Sequence, residues 1–442
     1  MQSNYRPVAV ELFAGAGGMT LGFEQAGFDV LAAVEIDPIH CAVHQFNFPQ
    51  WSILCQSVTD IAGTDIRKRS AIQNQEIDVV FGGSPCQGFS VIGKRALDDP
   101  RNALLAHFMR LVTELEPKYF VLENVKGLTI GNHRLLLTEI IIAFQKRGYQ
   151  VKEDYQVLNA VHYGVPQHRE RLFLLGCREG LILPDYPAPI TKSPVGSPKI
   201  DMAHLPNAPT VQQAIADLPE IENYPELLEQ DFCSAEYGEP ISDYARTLRG
   251  LQCPVEDYAY IRVWNPQLLT SSLRTVHSES SQQRFSDTPA GKIEPVSRFL
   301  RLDPHGICNT LRAGTARNLG SFTSPRPIHP FHPRCITVRE AARLHSYPDW
   351  FRFHSTNWHG FRQVGNSVPP LLAQAVAREI FKVLGQIPHK PSAVIPLPDP
   401  HLLGQSMSKL ADYFAVPRHT IQPRLRRDGQ KCYDADVRVS SC

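Results

Sequence analysis

Short, almost uninterrupted apolar runs constrain this chain more than any other feature. Val8-Ala9-Val10-Glu11-Leu12-Phe13, Val30-Leu31-Ala32-Ala33-Val34, Ile77-Asp78-Val79-Val80-Phe81, Tyr119-Phe120-Val121-Leu122 and Arg171-Leu172-Phe173-Leu174-Leu175-Gly176 recur early in the sequence. They do not alternate polar with apolar residues, so strands built from them must be covered on both faces. Segments with helical apolar spacing lie between them: Met19 to Ala26, Asn102 to Leu115, and Arg134 to Arg147, the last stopped by Gly148. Strand and helix in alternation predict an α/β fold with a doubly wound sheet.

The texture changes at Leu183-Pro184-Asp185-Tyr186-Pro187, and the chain stays rich in Pro, Ser, Asn and Asp to about Arg334. Residues 186–335 are therefore expected to form a smaller, irregular domain. The core pattern then returns. Thr337-Val338-Arg339-Glu340 is a capping box, and Pro370 to Leu384 reads as a helix stopped by Gly385. The second domain is thus inserted into the first, whose parts are 1–185 and 336–386, and the C-terminal helices should fold back onto the sheet. Residues 387–442 read as a Pro-rich linker and a small extension. Met407 to Arg427 suits either a helix-turn-helix or a tail with one docked helix, and Pro423 counts against a recognition helix.

The chemistry-bearing residues fall at the ends of the apolar runs, where open α/β sheets place their ligands. Gly82-Gly83-Ser84-Pro85-Cys86-Gln87-Gly88-Phe89-Ser90 follows one of them. A cysteine on such a turn, near backbone N–H groups and a helix N-terminus, is favoured as thiolate, the nucleophilic form. Alone, it would more often be a buried structural cysteine. Phe13-Ala14-Gly15-Ala16-Gly17-Gly18 follows the first run, and its glycines let the backbone turn tightly against a ligand. Glu35, about twenty residues on, ends the second run, where an acid can hold ribose hydroxyls. The position three residues after Gly17 is Thr20, so the strict pyrophosphate fingerprint is absent and an adenosyl ligand without pyrophosphate is favoured.

Taken in order, these motifs resemble those of bacterial-type DNA (cytosine-5)-methyltransferases from about Val8 to Leu384. The resemblance implies a class I methyltransferase (Rossmann-like) sheet with an inserted target-recognition domain at 186–335. Phe13, Gly15, Gly17 and Gly18 match the S-adenosylmethionine loop, with the aromatic ring on the adenine. Glu35, with Ile36, matches the ribose acid. Asp60, with Ile61, matches the acid that accepts from the adenine amino group. Pro85-Cys86-Gln87 matches the catalytic loop, Pro85 bordering the cofactor. Glu123-Asn124-Val125 matches the acidic catalytic triplet. Gln167-His168-Arg169-Glu170-Arg171 matches the QxRxR motif. Gln363 to Pro370 matches the closing motif, placing Asn366 and Ser367 at the cofactor. Glu11 stands where many relatives carry Asp, and the stretch from Arg171 to Thr337 is long for the family.

The resemblance implies a covalent route. The Cys86 thiolate adds to cytosine C6, C5 becomes nucleophilic and takes the methyl group, the C5 proton leaves, and the thiolate is eliminated. Glu123 as an acid would donate to N3, and Arg171 would hold O2. Arg169 would lie nearby, on phosphate or on a loop. Asn124 neighbours the acid, while Gln87 and Ser90 belong to a loop that closes over DNA. The base must be flipped out of the duplex, and Gln87 is a candidate to fill the space. Lys94, Arg95 and Arg101 are expected at phosphates. Arg312, Thr315 and Arg317 sit in the segment expected to be a base-reading loop; the two arginines either read base edges or touch only phosphate or solvent.

A net charge of +1 neither supports nor excludes nucleic acid, since a local basic face suffices to neutralise phosphates. The ten cysteines are scattered without paired CxxC spacing, which fits a reducing cytosol and no metal site. No apolar run is long enough for a membrane span, and the N-terminus lacks a signal-peptide core. The expectation is a cytoplasmic bacterial enzyme, associated with the nucleoid through DNA and monomeric because one chain carries every motif. It would use S-adenosylmethionine on double-stranded DNA, as a solitary methylase or beside a separate cognate restriction endonuclease. Two rivals are a transfer-RNA methyltransferase of similar ancestry and a catalytically silent DNA binder. The large insert and the missing Cys-Phe-Thr element count against the first, and intact Cys86, Glu123 and Arg171 against the second.

Overall fold

In the computed structural model, residues 6–85, 102–131, 133–196, 202–314, 326–418 and 420 are described, with the short pieces 424–425 and 431–432. The apolar runs form the strands they predict. In chain order come β1 Val8–Leu12, α1 Gly18–Ala26, β2 Asp29–Glu35, α2 Pro38–Asn47, β3 Ser52–Cys55, α3 Gly63–Lys68 and β4 Val79–Gly83. There follow α4 Ala103–Leu115, β5 Tyr119–Val125, α5 His133–Gln145, β6 Tyr149–Val151, β7 Gln156–Asn159 and β8 Glu170–Arg178. The sheet order is β3-β2-β1-β4-β5-β8-β6, with β7 also paired to β8. Strands β3 to β5 run parallel, whereas β8 is antiparallel to β5, β6 and β7. No crossover helix separates β7 from β8, only a 3-10 turn at Ala160–Tyr163, and an antiparallel return needs no more.

Both faces are covered, as the continuous apolar strands require. Val8, Val10 and Leu12 join α4 and α5 on one side; Ala9 joins the helices of the other. The second layer includes α1, α9 Val338–Arg343 and α11 Pro370–Val383, with α10 Asn357–Asn366 between the last two. Helices α1 and α11 touch closely at Gly22, where a Cβ would lie 2.5 Å from both Ala373 Cβ and Pro370 O. The predicted capping box opens α9: Thr337 Oγ1 accepts from Glu340 N–H, and the Glu340 carboxylate accepts from Thr337 N–H.

Between β8 and α9 the elements are short: α6 Val211–Ile215, β9 Cys233–Ser234, α7 Asp243–Leu248, β10 Ile261–Val263, β11 Leu268–Leu269 and α8 Glu279–Asp287. Buried charge contacts tie this region to the sheet layers. Arg262 grips Glu24 of α1 at 2.7 and 2.9 Å. Arg343 of α9 bridges Asp217 and Asp349, Arg334 joins Glu220 to Glu340, and Arg352 faces Asp231. Arg6, just before β1, holds Asp29 and donates to the carbonyls of Tyr258 and His389.

The chain after α11 packs onto the rest. β12 Val394–Pro396 pairs in parallel with β10, and α12 Met407–Tyr413 sets Leu410 against Ile39 and Ala42 of α2. No second α-helix follows α12 among the described residues. Among the described residues, no helix is long and apolar enough to cross a membrane.

Candidate active site

The carboxyl ends of the parallel strands gather the predicted residues along one edge. β4 ends at Gly83, and Gly83 stands beside Glu123 in the β4–β5 register. Ser84 is buried and Pro85 exposed; Cys86, Gln87, Ser90, Lys94, Arg95, Arg101, Thr315 and Arg317 lie outside the described residues. Asn124 donates its amide to Ser84 O at 3.2 Å and accepts from Val125 N–H at 2.9 Å, so it ties β5 to the residue just after β4.

Glu123 is 8 % exposed, and its Oε1 lies 2.8 Å from Arg171 Nε. Burial raises the Glu123 carboxyl above its ordinary value, although Arg171 and Arg169 pull the other way. A carboxyl so placed can hold or release a proton at an open strand end. Gly83 is what leaves room for it: a Cβ there would stand 2.4 Å from Glu123 Oε2.

Arg169 spends both Nη groups on backbone carbonyls of the protein itself. It is fully buried, with one Nη donating to Leu311 O and the other to Gly365 O, each at 2.8 Å. Gln167, also fully buried, donates to Leu344 O and accepts from Leu311 N–H at 3.1 Å. Thr310 Oγ1 donates to His168 O at 2.6 Å. The base of the segment carrying Arg312 is thereby fastened to the strand carrying Arg171. Gly365 allows the crossing, because a Cβ there would meet Ala313 N and Arg312 C at 2.4 Å.

At the other end of the edge, Phe13, Gly15 and Gly17 have φ of 58°, 57° and 98°. These left-handed positions turn the chain sharply between β1 and α1. Gly15 N–H donates to Glu35 Oε2 at 2.8 Å, while Ile36 and Asp37 N–H donate to Oε1 at 3.0 and 2.9 Å. Burial alone would raise the Glu35 carboxyl; His40 and these N–H donors outweigh it and hold the group below its ordinary value. The ionised Glu35 keeps a lone pair on Oε2, and a Cβ at Gly15 would meet nothing within 4 Å. The turn is therefore open beside an acceptor, which fits a ribose hydroxyl. Asp60 is exposed in the loop after β3, its Oδ1 accepting from Thr59 Oγ1, and Ile61 is buried beside it. Asn366 is exposed at the end of α10, followed by Ser367, whose Cβ is 3.0 Å from a Cβ built at Gly18.

The sequence reading missed the scaffolding partners: Gln167 and Gly365 as clamps, His40 beside Glu35, and Gly83 beneath Glu123. Gln167 and Gly365 lay inside quoted motifs; only tertiary contact reveals what they do.

The sequence model of the family described as C-5 cytosine-specific DNA methylase matches residues 8–382. The chain is 57% identical over 421 residues to the Type II methyltransferase M.XorII of Xanthomonas oryzae pv. oryzae, covering 95% of each. It is 33% identical over 396 residues to the Type II methyltransferase M.DdeI of Desulfomicrobium norvegicum, covering 84% of this chain and 88% of that one. Among solved structures, a prophage-encoded E. coli protein described as a DNA modification methyltransferase aligns with a TM-score of 0.67 and 32% identity. That alignment covers 86% of this chain and 100% of the other.

Proposed function

The chain belongs to the C-5 cytosine-specific DNA methylases, and on that premise we propose how its residues divide the work. The enzyme transfers a methyl group from S-adenosylmethionine to C5 of cytosine in DNA. The cofactor supplies an electrophilic methyl group; the residues of this chain make cytosine able to accept it. Cys86 adds to C6, which loads the ring with electrons. Glu123 delivers a proton to N3, and Arg171 holds O2. After methylation the C5 proton passes to a water acting as base, the C5–H electron pair re-forms the C5–C6 double bond as the C6–S bond breaks and the Cys86 thiolate is expelled, and N3 returns its proton to Glu123. Phe13, Glu35, Ile36, Asp60, Ile61, Pro85, Asn366 and Ser367 hold the cofactor around the Gly15–Gly18 turn.

The observation that carries this reading is the Glu123–Arg171 pair, set in register with Gly83 and three residues from Cys86 in the chain. Burial favours a protonated Glu123 once a base displaces water there.

The substrate is double-stranded DNA with the target base turned outward. Residues 186–335 read its sequence through the segment of Arg312, Thr315 and Arg317, with Lys94, Arg95 and Arg101 on phosphates. Residues 1–185 and 336–386 form the catalytic domain, and 387–442 are an extension. The enzyme works as a monomer in a bacterial cytoplasm. It acts beside a separate cognate endonuclease, a role that the likeness to proteins named Type II methyltransferases supports.

Base-resolution mapping of 5-methylcytosine in a methylation-free bacterial host expressing the chain tests the whole reading. Methylation at one short sequence, absent with Cys86→Ala, is the expected result. An unmethylated genome despite folded, cofactor-binding protein would overturn it.

A further inference from the structure

Three buried polar side chains beneath the cofactor turn take no part in the chemistry above. Glu11 of β1, Thr20 of α1 and His44 of α2 are 2 %, 0 % and 1 % exposed. The Thr20 hydroxyl is hydrogen-bonded to Glu11 Oε2, and its oxygen lies 3.0 Å from His44 Nε2. A threonine hydroxyl has one proton. With Glu11 ionised that proton goes to the carboxylate and Thr20 accepts from His44 Nε2–H; with Glu11 protonated the carboxyl donates to Thr20, which donates in turn to His44 Nε2. Among the described residues, His44 Nδ1 has no hydrogen-bond partner. The ring lies directly under the turn: a Cβ at Gly17 would stand 3.1 Å from His44 Cδ2 and 2.4 Å from Phe48 Cε2. On the next residue, a Cβ at Gly18 would stand 2.5 Å from Tyr347 Oη.

We propose that Glu11, Thr20 and His44 form one uncharged hydrogen-bonded unit that sets the position of the Gly15–Gly17 turn and so tunes S-adenosylmethionine affinity, with Glu11 carrying a proton in the working enzyme. The proposal rests on the reading that this turn holds the cofactor. All three are positioning residues; none touches a reacting atom.

The electrostatics agree with the geometry. Glu11 lies one residue before the end of β1 and Glu35 ends the neighbouring β2, and two buried carboxylates there cannot both ionise cheaply. Glu35 is the one held ionised, by His40 and backbone N–H groups. Burial drives Glu11 up to about 8, Thr20 opposing and Glu35 adding to the rise. His44 is pushed down to about 3 by burial, so it offers Glu11 no positive charge. Among the described residues, the remaining titratable groups that act with Glu11 are Glu35 on β2 and Tyr347 after α9, itself driven upward by burial. Arg169 acts on Tyr347 and His40 on Glu35, rather than on Glu11.

The sign follows. Below pH 8 Glu11 keeps its proton and the unit is neutral. As pH rises through about 8, a second carboxylate appears beside Glu35 without a counter-charge, and the turn loosens. The experiment is calorimetric titration of cofactor-free enzyme with S-adenosylmethionine from pH 6.5 to 9, on wild type, Glu11→Gln and Thr20→Val. Wild-type affinity should fall across that range. Glu11→Gln, which keeps the shape of the protonated acid, should match wild type near neutral pH and lose the dependence. Thr20→Val should weaken affinity about tenfold, the worth of one buried hydrogen bond, at every pH. Amide exchange at Gly15 and Gly17 in the cofactor-free enzyme should quicken in Thr20→Val. Should that variant fail to fold, Glu11→Gln alone decides. An unchanged pH profile in Glu11→Gln, or wild-type affinity that strengthens with pH, would overturn the proposal. Wild type that binds no cofactor at all would instead overturn the reading of the turn.

Discussion

Replacing Gly83 with alanine should disarm the enzyme while leaving it folded. The added Cβ would lie 2.4 Å from Glu123 Oε2, whereas ordinary contact begins at 3.4 Å. The carboxylate must retreat by about 1 Å, and a misplacement of that size costs about 10²-fold in rate, or about 2.7 kcal/mol of barrier. Stability should change little. The atom that must yield is the far end of a side chain, and Gly83 lies in a strand without the left-handed φ that would strain alanine. Removing a glycine also lowers the entropy of the unfolded chain. The assay is single-turnover transfer of a radiolabelled methyl group to duplex DNA, beside a thermal melt and a cofactor titration. The expected pattern is about a 10²-fold slower methylation with unchanged melting and unchanged cofactor affinity. Glu123→Gln, which keeps the volume but cannot deliver a proton, should lose 10²- to 10⁴-fold, roughly the range of general acid catalysis. A Gly83→Ala enzyme within threefold of wild type would refute the claim that the position of this carboxylate governs the rate.

Three other outcomes are expected. Arg262→Met strands Glu24 as a buried, unpaired charge and should cost about 3–5 kcal/mol in urea denaturation, largely restored by adding Glu24→Met. Glu340 is buried, yet Arg334 and His329 hold its carboxyl down to about 2. The stability it contributes is present above its unfolded value of 4.5 and is lost as pH falls toward 2. Denaturation midpoints between pH 5 and 2.5 should show this slope, and Arg334→Met should flatten it. Arg169→Met removes two charge-assisted hydrogen bonds to Leu311 O and Gly365 O, which should lower stability by about 2–4 kcal/mol. Both its kcat and its KM for the cofactor should worsen, because Leu311 lies on the segment fastened beside Arg171 and Gly365 directly precedes Asn366 and Ser367.

The strands were legible in the sequence because burial on both faces writes itself as an unbroken apolar run. Val8–Leu12 and Tyr119–Val125 need no other signal. The strand-end residues Glu35 and Glu123 were legible because position and residue type coincide. The antiparallel sense of β8 was not, since an apolar run carries no direction; the short link after β7 decides it. Nor were the clamps. Arg169 is an arginine like any other until the fold brings Leu311 and Gly365 to its guanidinium. The pairing of Val394–Pro396 with Ile261–Val263 joins two segments of Pro-rich sequence whose local pattern is weak. Buried charge pairs such as Glu24–Arg262 leave no periodic trace, because each partner looks like a surface residue in its own neighbourhood.

The Arg6 guanidinium sets a timetable for the chain. Its carbonyl acceptor at His389 lies 383 residues further along the sequence. A ribosome adding about 5–20 residues per second reaches that point on the order of tens of seconds after the first strand has emerged. Until then the charge just ahead of the strand that seeds the sheet has Asp29 but lacks its acceptors at Tyr258 and His389, and α11, which covers α1, is missing as well. The nascent protein must therefore spend most of its synthesis with an uncovered sheet face, dependent on whatever shields such surfaces in the cell. It closes only once the chain has been made past α11 and His389.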